Sequence, residues 1–431
     1  MLQSLAYISP SQGSFDGLDD SDDEDEQGNY VLHVRTALLE AKKGAITAIG
    51  EMGAHCGASF VPFLENVMKV LEKAIVSWHP LIKCAVAEAL PSMVIPSVAA
   101  HHSGDISWVK GDVSGPNPIN RHTCEVASFT LKLLLDLMKD DDKPTVGKAC
   151  EGIQSVIELC GPHALIPYAN AVLETAINLL QKQAPCQLID EEDDDEDDDD
   201  HDSFMTSVCD LVGAFGRIMG SHFVQYLPQF LPAICSYAKV SRPSSDRSMA
   251  MGCLGELAQE LELGIKDHWN SVFLPAITAG LSDEDDNVKR NAAFCTGVCC
   301  KGLGESISPQ YQQILQMLSP LFNINSNAGD ASAACIDNAV AAISRMIMAC
   351  PASVPLTQVL PVQLKALPLK NDMTENETVY QCLLGLLQMN HPDAIANKAE
   401  IKRVFFEAVA EGSKVDDTIK DKLNLALPGL Q

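Results

Sequence analysis

Val288-Lys289-Arg290-Asn291-Ala292-Ala293-Phe294-Cys295-Thr296-Gly297 is rich in small residues and carries its charges near its beginning. The same composition returns in Ile82-Lys83-Cys84-Ala85-Val86-Ala87-Glu88-Ala89-Leu90, and again in 146–153, 246–255 and 335–343. Lys42-Lys43-Gly44-Ala45-Ile46-Thr47-Ala48-Ile49-Gly50 reads as a further copy. Small residues on one helix face let two helices approach closely, while a charge at the helix start stays in solvent.

A helix of a different kind precedes these copies. Phe60, Phe63, Leu64, Val67 and Leu71 fall at i, i+3, i+4, i+7 and i+11, which predicts one apolar helix stripe. Similar stripes occupy 162–183, 222–239, 268–281 and 310–322, with Pro62, Pro167, Pro228 and Pro275 near their starts, where a missing N–H costs little. Lys43 to Lys83 is 40 residues, Ser248 to Lys289 is 41 and Lys289 to Ile336 is 47. Two helices per period of ~40–47 residues is the pattern of a HEAT or armadillo solenoid, whereas a TPR array repeats every ~34. The expected fold is all-α: a right-handed α-solenoid of about eight to nine helix pairs, the first and last incomplete.

Charge divides the chain further. Of 58 acidic residues against 30 basic ones, 12 lie in Asp190–Asp202, 8 in Asp16–Glu26, 3 in Asp140–Asp142 and 4 in Asp283–Asp286. Those 27 leave 31 acids against the 30 bases, so the body is nearly neutral and the net charge of −28 sits in appendages. The organisation read from this is an acidic, largely disordered segment over 1–29, repeats over 30–183 with a loop-like insertion near 95–122, an acidic disordered loop over 184–202, and repeats over 203–431. The helix after the acidic loop is expected to start near Phe204.

An acidic excess of this size argues against nucleic acid or an anionic membrane as partner and for basic proteins. No apolar run reaches the ~18 residues of a bilayer span. Met1–Pro10 lacks a basic lead into an apolar core, so no secretory signal is expected. The 15 dispersed cysteines read as reduced thiols of a cytosolic or nuclear protein.

The candidate binding residues are therefore Asp190, Glu191, Glu192, Asp193, Asp194, Asp195, Glu196, Asp197, Asp198, Asp199, Asp200 and Asp202, whose field recruits Lys/Arg-rich segments within a Debye length of ~8–10 Å. A solubilising loop without a partner is the competing reading. The short runs Asp140–Asp142 and Asp283–Asp286 read as caps at helix starts. No P-loop, zincin, nucleophile-elbow or C-x-x-C pattern is present, so neither enzyme, cofactor nor metal is expected. Gly50, Gly53 and Gly57 suit helix packing, and Cys295, Cys299 and Cys300 read as small buried residues. His101-His102 has nothing nearby in sequence to complete a site. Trp78 and Trp269 read as covers for inter-repeat seams, while Trp108, in a polar Gly/Pro-rich stretch, offers a weak anchor for a partner.

Phe60-Val61-Pro62-Phe63-Leu64-Glu65-Asn66-Val67 followed by Leu81–Leu90 resembles a HEAT repeat of the importin-β (karyopherin) family. So do Cys186-Gln187 with the acidic tract and Phe223-Val224-Gln225-Tyr226-Leu227-Pro228, the block 286–298, and Leu364-Lys365-Ala366-Leu367-Pro368-Leu369-Lys370-Asn371-Asp372. The resemblance implies a nuclear import receptor that carries basic cargo, especially core histones and ribosomal proteins. It implies nucleoporins and the GTPase Ran as further partners, and residence in cytoplasm and nucleus, including the pore and envelope. Family receptors are about twice as long and engage Ran mainly through N-terminal repeats, so this chain resembles their C-terminal half and no Ran-contact residue transfers. A HEAT scaffold, such as a phosphatase regulatory subunit, and an acidic histone chaperone without transport are the alternatives.

Overall fold

The computed structural model describes residues 24–77, 79–188 and 198–430, with side chains from Thr36 onward and none for 198–202. Asp16–Asp23, Trp78 and Asp190–Asp197 lie outside the described residues. The chain divides into two compact units, Met1–Met219 and Gly220–Gln431. Among the described residues every regular element is helical.

The first unit holds α1 (Glu24–His55), α2 (Val61–Ile75), α3 (Pro80–Ala89), α4 (Val94–His101), α5 (Arg121–Leu137), α6 (Lys143–Cys160), α7 (Pro162–Leu165), α8 (Ala169–Leu180) and α9 (Asp198–Met219). The small-residue helices stack directly, α1 on α3, α3 on α6 and α6 on α9. Helices α2, α5 and α8 lean against the small-residue helix that follows each.

The second unit holds α10 (Leu227–Tyr237), α11 (Ser244–Leu261), α12 (Leu274–Leu281), α13 (Asp286–Leu303), α14 (Tyr311–Leu318), α15 (Asp330–Ala349), α16 (Leu356–Ala366), α17 (Asn376–Gln388), α18 (Pro392–Ala396), α19 (Lys398–Val409) and α20 (Asp417–Ala426). Here α11, α13, α15, α17 and α20 form the stack. Small residues produce the expected close approach: a Cβ on Gly297 of α13 would lie 2.7 Å from the Ala342 Cα of α15. Every residue of α15 from Ser332 to Ile347 is buried. That helix and the stretch Pro80–His101 are long and apolar enough to cross a membrane, but 83% and 61% of their apolar windows are buried against other helices. They are core helices.

Several boundaries differ from the sequence reading, for identifiable reasons. Short tight turns of helix, Gly57–Phe60, Gly220–Tyr226, Glu262–His268 and Ser308–Gln310, lead into helices of the first type, so the 3.6-residue pattern starts later than the stripes suggest. On α2 the buried stripe is Leu64, Val67, Met68 and Leu71, while Phe63 sits at its edge, 52% exposed. The insertion near 95–122 begins as helix α4, leaving 102–120 irregular. Glu24–Glu26 already belong to α1. Helix α9 begins at Asp198, within the acidic tract rather than at Phe204. Acidic residues favour the positive end of the helix macrodipole, which opposes the mutual repulsion of the carboxylates.

The short acidic runs do more than cap. Asp142 accepts from the Thr145 N–H at 2.9 Å, and Asp285 from those of Asn287 and Val288 at 2.8 and 3.2 Å. Asp140 also pairs with Lys83 at 2.7 Å, and Asp283 with Arg247 at 2.8 Å, each joining one repeat to the next. Trp269 covers a seam as expected: it is 2% exposed and its indole N–H donates to Gln310 Oε1 at 2.8 Å.

Candidate basic-protein surface

Asp198, Asp199, Asp200 and Asp202 lie in the first turns of α9. Asp190, Glu191, Glu192, Asp193, Asp194, Asp195, Glu196 and Asp197 lie outside the described residues. The described part of the tract therefore continues into the small-residue stack.

A second acidic group lies on that stack. Glu151 and Glu158 are seven residues apart on α6, two helix turns, and so share a face. Lys148 Nζ stands 2.9 Å from Glu151 and 4.0 Å from Glu88 of α3. On α9, Ser207 donates to Glu151 Oε1 at 2.9 Å and Arg217 pairs with Glu158. Gln154 donates to the same Glu158 carboxylate at 3.2 Å. Asp210, one turn from Ser207 on α9, is exposed. Loss of hydration, then the nearby Glu151 charge, push its carboxyl above the usual range, against the pull of Arg217. Among the described residues, Lys148 and Arg217 pair with carboxylates of this group on α3, α6 and α9.

These four acids were absent from the sequence reading, which attended to runs of charge. The signal that marks two of them, Glu151 and Glu158, is Glu at i and i+7 on one of the small-residue helices. Trp108, weighed as an anchor for a partner, instead turns inward: its indole N–H donates to Glu158 O at 3.1 Å. A groove of about 650 Å³ lies elsewhere, along α5, lined by Ile119, Arg121, Glu125, Phe129, Lys132 and Tyr168. Its lining carries charges of both signs.

Cys295, Cys299 and Cys300 are fully buried on α13, and burial pushes the Cys299 and Cys300 thiols far up. No cluster of three or more His, Cys, Asp or Glu that could hold a metal occurs among the described residues.

No family model matches the chain. It is 27% identical over 417 residues to the probable importin subunit beta-4 of Schizosaccharomyces pombe, covering 93% of this chain and 38% of that protein. It is 26% identical over 397 residues to importin-4 of Homo sapiens, covering 89% of this chain and 35% of the relative. The chain therefore spans little more than a third of these relatives. Among solved structures, Kap121p bound to RanGTP superposes with a TM-score of 0.67 at 16% identity, over 90% of this chain and 35% of that one. Kap121p bound to Nup53p gives 0.64 at 15% identity, over 92% and 36%. Those likenesses establish the all-α karyopherin solenoid as the fold. The sequence similarity to importin subunit beta-4 runs along nine-tenths of this chain, so sequence and fold both point to similarity with importin-β-type karyopherins.

Proposed function

We propose that this chain is a cargo-binding segment of a nuclear import receptor, holding basic proteins such as core histones and ribosomal proteins as they pass from cytoplasm to nucleus. The observation that carries the proposal is the set of carboxylates on α3, α6 and α9, together with the backbone of α9 starting at Asp198, within the acidic stretch of the sequence. The names of the relatives support transport. Kap121p, of the same fold, has been captured bound to Pho4p, to Nup53p and to RanGTP. Nucleoporin contact at the pore belongs to the same proposal, and Ran contact belongs to the N-terminal repeats of the whole receptor.

In this reading the tract supplies long-range attraction and the ordered carboxylates supply selectivity, because a polyanion alone distinguishes basic sequences poorly. The test is a series of association rates for a core histone across ionic strength. Changing Asp193, Asp194, Asp195, Asp197, Asp198, Asp199 and Asp200 to Asn should slow association at low salt more than it speeds dissociation, and the difference should shrink as salt screens the wild type. Equal association rates at low salt would assign the tract to solubility.

A further inference from the structure

Segment 102–120 connects α4 to α5, yet it is tied to helices that come later in the chain. It exceeds the ~12–15 residues beyond which irregular loops are uncommon and mostly functional or disordered. This one is pinned. Ile106 and Ile119 are each 6% exposed. The Trp108 indole N–H donates to Glu158 O at 3.1 Å, the Gly111 N–H to Ile218 O at 2.9 Å, and Gly115 O stands 3.3 Å from His163 Nε2. The Trp108 ring occupies the space beside Gly161, where a Cβ would come 2.3 Å from Trp108 Cγ. Gly161 has φ +76°, which lets the chain leave α6 there without strain.

The placement of the two acceptors matters. The last four carbonyls of a helix have no donor within it. Glu158 is in the last turn of α6 and Ile218 in the last turn of α9. The segment therefore supplies donors to the C-terminal ends of two helices that stack on each other. The side chain of Glu158 pairs with Arg217, the neighbour of Ile218.

We infer that segment 102–120 is a clamp between repeats: it caps α6 and α9 together, fixes their relative placement, and so holds Glu158, Arg217 and Asp210 in the arrangement that a basic side chain meets. The inference rests on the reading of that surface as a site for basic proteins. Trp108 is a positioning residue in it. It touches no ligand and acts through Glu158.

The test uses Trp108→Phe, which keeps most of the ring and loses the donor, Trp108→Ala, which loses both, and Val109→Ser as a control at a 64% exposed position. None changes charge, so steering of a synthetic Lys/Arg peptide stays as it is and its association rate should not move. Its dissociation should quicken about fivefold in Trp108→Phe, the factor carried by one ordinary hydrogen bond, and further in Trp108→Ala. Hydrogen exchange should rise together in 155–161 and 215–219, while Val109→Ser matches the wild type in both measurements. Faster exchange confined to 105–111, with 215–219 still protected in Trp108→Ala, would overturn the clamp. If the wild type fails to bind the peptide, the basic-protein reading falls, and the paired exchange measurement still decides the clamp.

Discussion

Arg247 on α11 grips Asp283, in the turn before α13, through two N–H···O bonds of 2.8 Å, and each side chain is 9% exposed. The relation recurs with other chemistry. Lys83 of α3 reaches Asp140, in the turn before α6, at 2.7 Å. Asp337 of α15 accepts the backbone N–H groups of Lys370, Asn371 and Asp372, before α17, at 3.1, 2.7 and 2.9 Å. In each case a small-residue helix holds the turn that launches the next helix of its stack. These tethers are local, as a quasi-one-dimensional array requires.

Asp283→Ala should therefore loosen one seam rather than the whole chain. Breaking a buried pair from one side leaves a charge without its partner, and the expected loss is about 3 kcal/mol. Hydrogen exchange across 244–303 would locate it. The Arg247 hydrogen bond holds the Asp283 carboxyl below its usual range. Its stabilising contribution is thus complete above the unfolded carboxylate value and disappears as pH falls through the lower folded one. Acid unfolding of the variant should lack that component.

Two glycines should respond in opposite directions to the same change. Gly297→Ala places a methyl 2.7 Å from the Ala342 Cα and 3.1 Å from its Cβ, where neither backbone can give way without moving a helix. Overpacking of this kind costs ~1–3 kcal/mol. Gly44 lies inside α1 with nothing within 4 Å of a new Cβ, so Gly44→Ala should stabilise by ~0.5–1 kcal/mol through helix propensity. Paired urea titrations give both signs.

Thiol labelling should be sharply graded. Cys56 is exposed and should react first with maleimide, whereas Cys150, Cys295, Cys299 and Cys300 are buried and should wait for unfolding. Cys84 is only half-buried, but burial, then the charges of Glu88 and Asp142, push its thiol up to about 11. Its thiolate fraction at pH 8 is roughly a thousandth, so it should lag well behind Cys56. Chelators should leave the thermal melt unchanged, because the thiols on α13 pack as small apolar groups. Zinc retained in stoichiometric amount after purification would contradict that packing.

The repeat was legible in the sequence because it is written twice, in the small residues that set close approach and in the spacing of their recurrence. Ala292, Cys295 and Cys299 are fully buried, as that reading required. Helix entries were not legible. Gly57–Phe60 and Trp269–Phe273 continue an apolar pattern while their backbone winds more tightly or more loosely than an α-helix, and periodicity does not register such changes. The carboxylate group was missed for a different reason. Glu88, Glu151, Glu158 and Asp210 are isolated charges spread over three helices, and only stacking brings those helices together. Trp108 was misjudged because its partner, Glu158 O, is a main-chain atom 50 residues away.

The start of α9 yields the last prediction. Repulsion among the carboxylates argued for an irregular tract up to Phe204, but the helix begins at Asp198. Two opposing terms decide where it starts. Neighbouring carboxylates repel in any conformation and more when coiled together, while each acid in the first turn gains ~0.3–1 kcal/mol from the macrodipole and can accept an otherwise unpaired N–H. Substitution by Asn removes the charge, relieves repulsion and retains a residue type favoured at helix starts, so Asp198→Asn with Asp199→Asn and Asp200→Asn should leave the helix start in place. Lys at the same positions reverses the macrodipole contribution and offers no acceptor to the first N–H groups, so the start should retreat toward Ser203. Hydrogen exchange over 198–207 reads the difference, faster in the Lys variant and near wild type in the Asn one. Equal protection in both would mean that packing of Phe204 and Met205, 3% and 0% exposed, sets the start alone. The Asn result also bears on cargo: a variant that keeps α9 intact changes only the field of the tract, so any slowing of histone association can be attributed to charge.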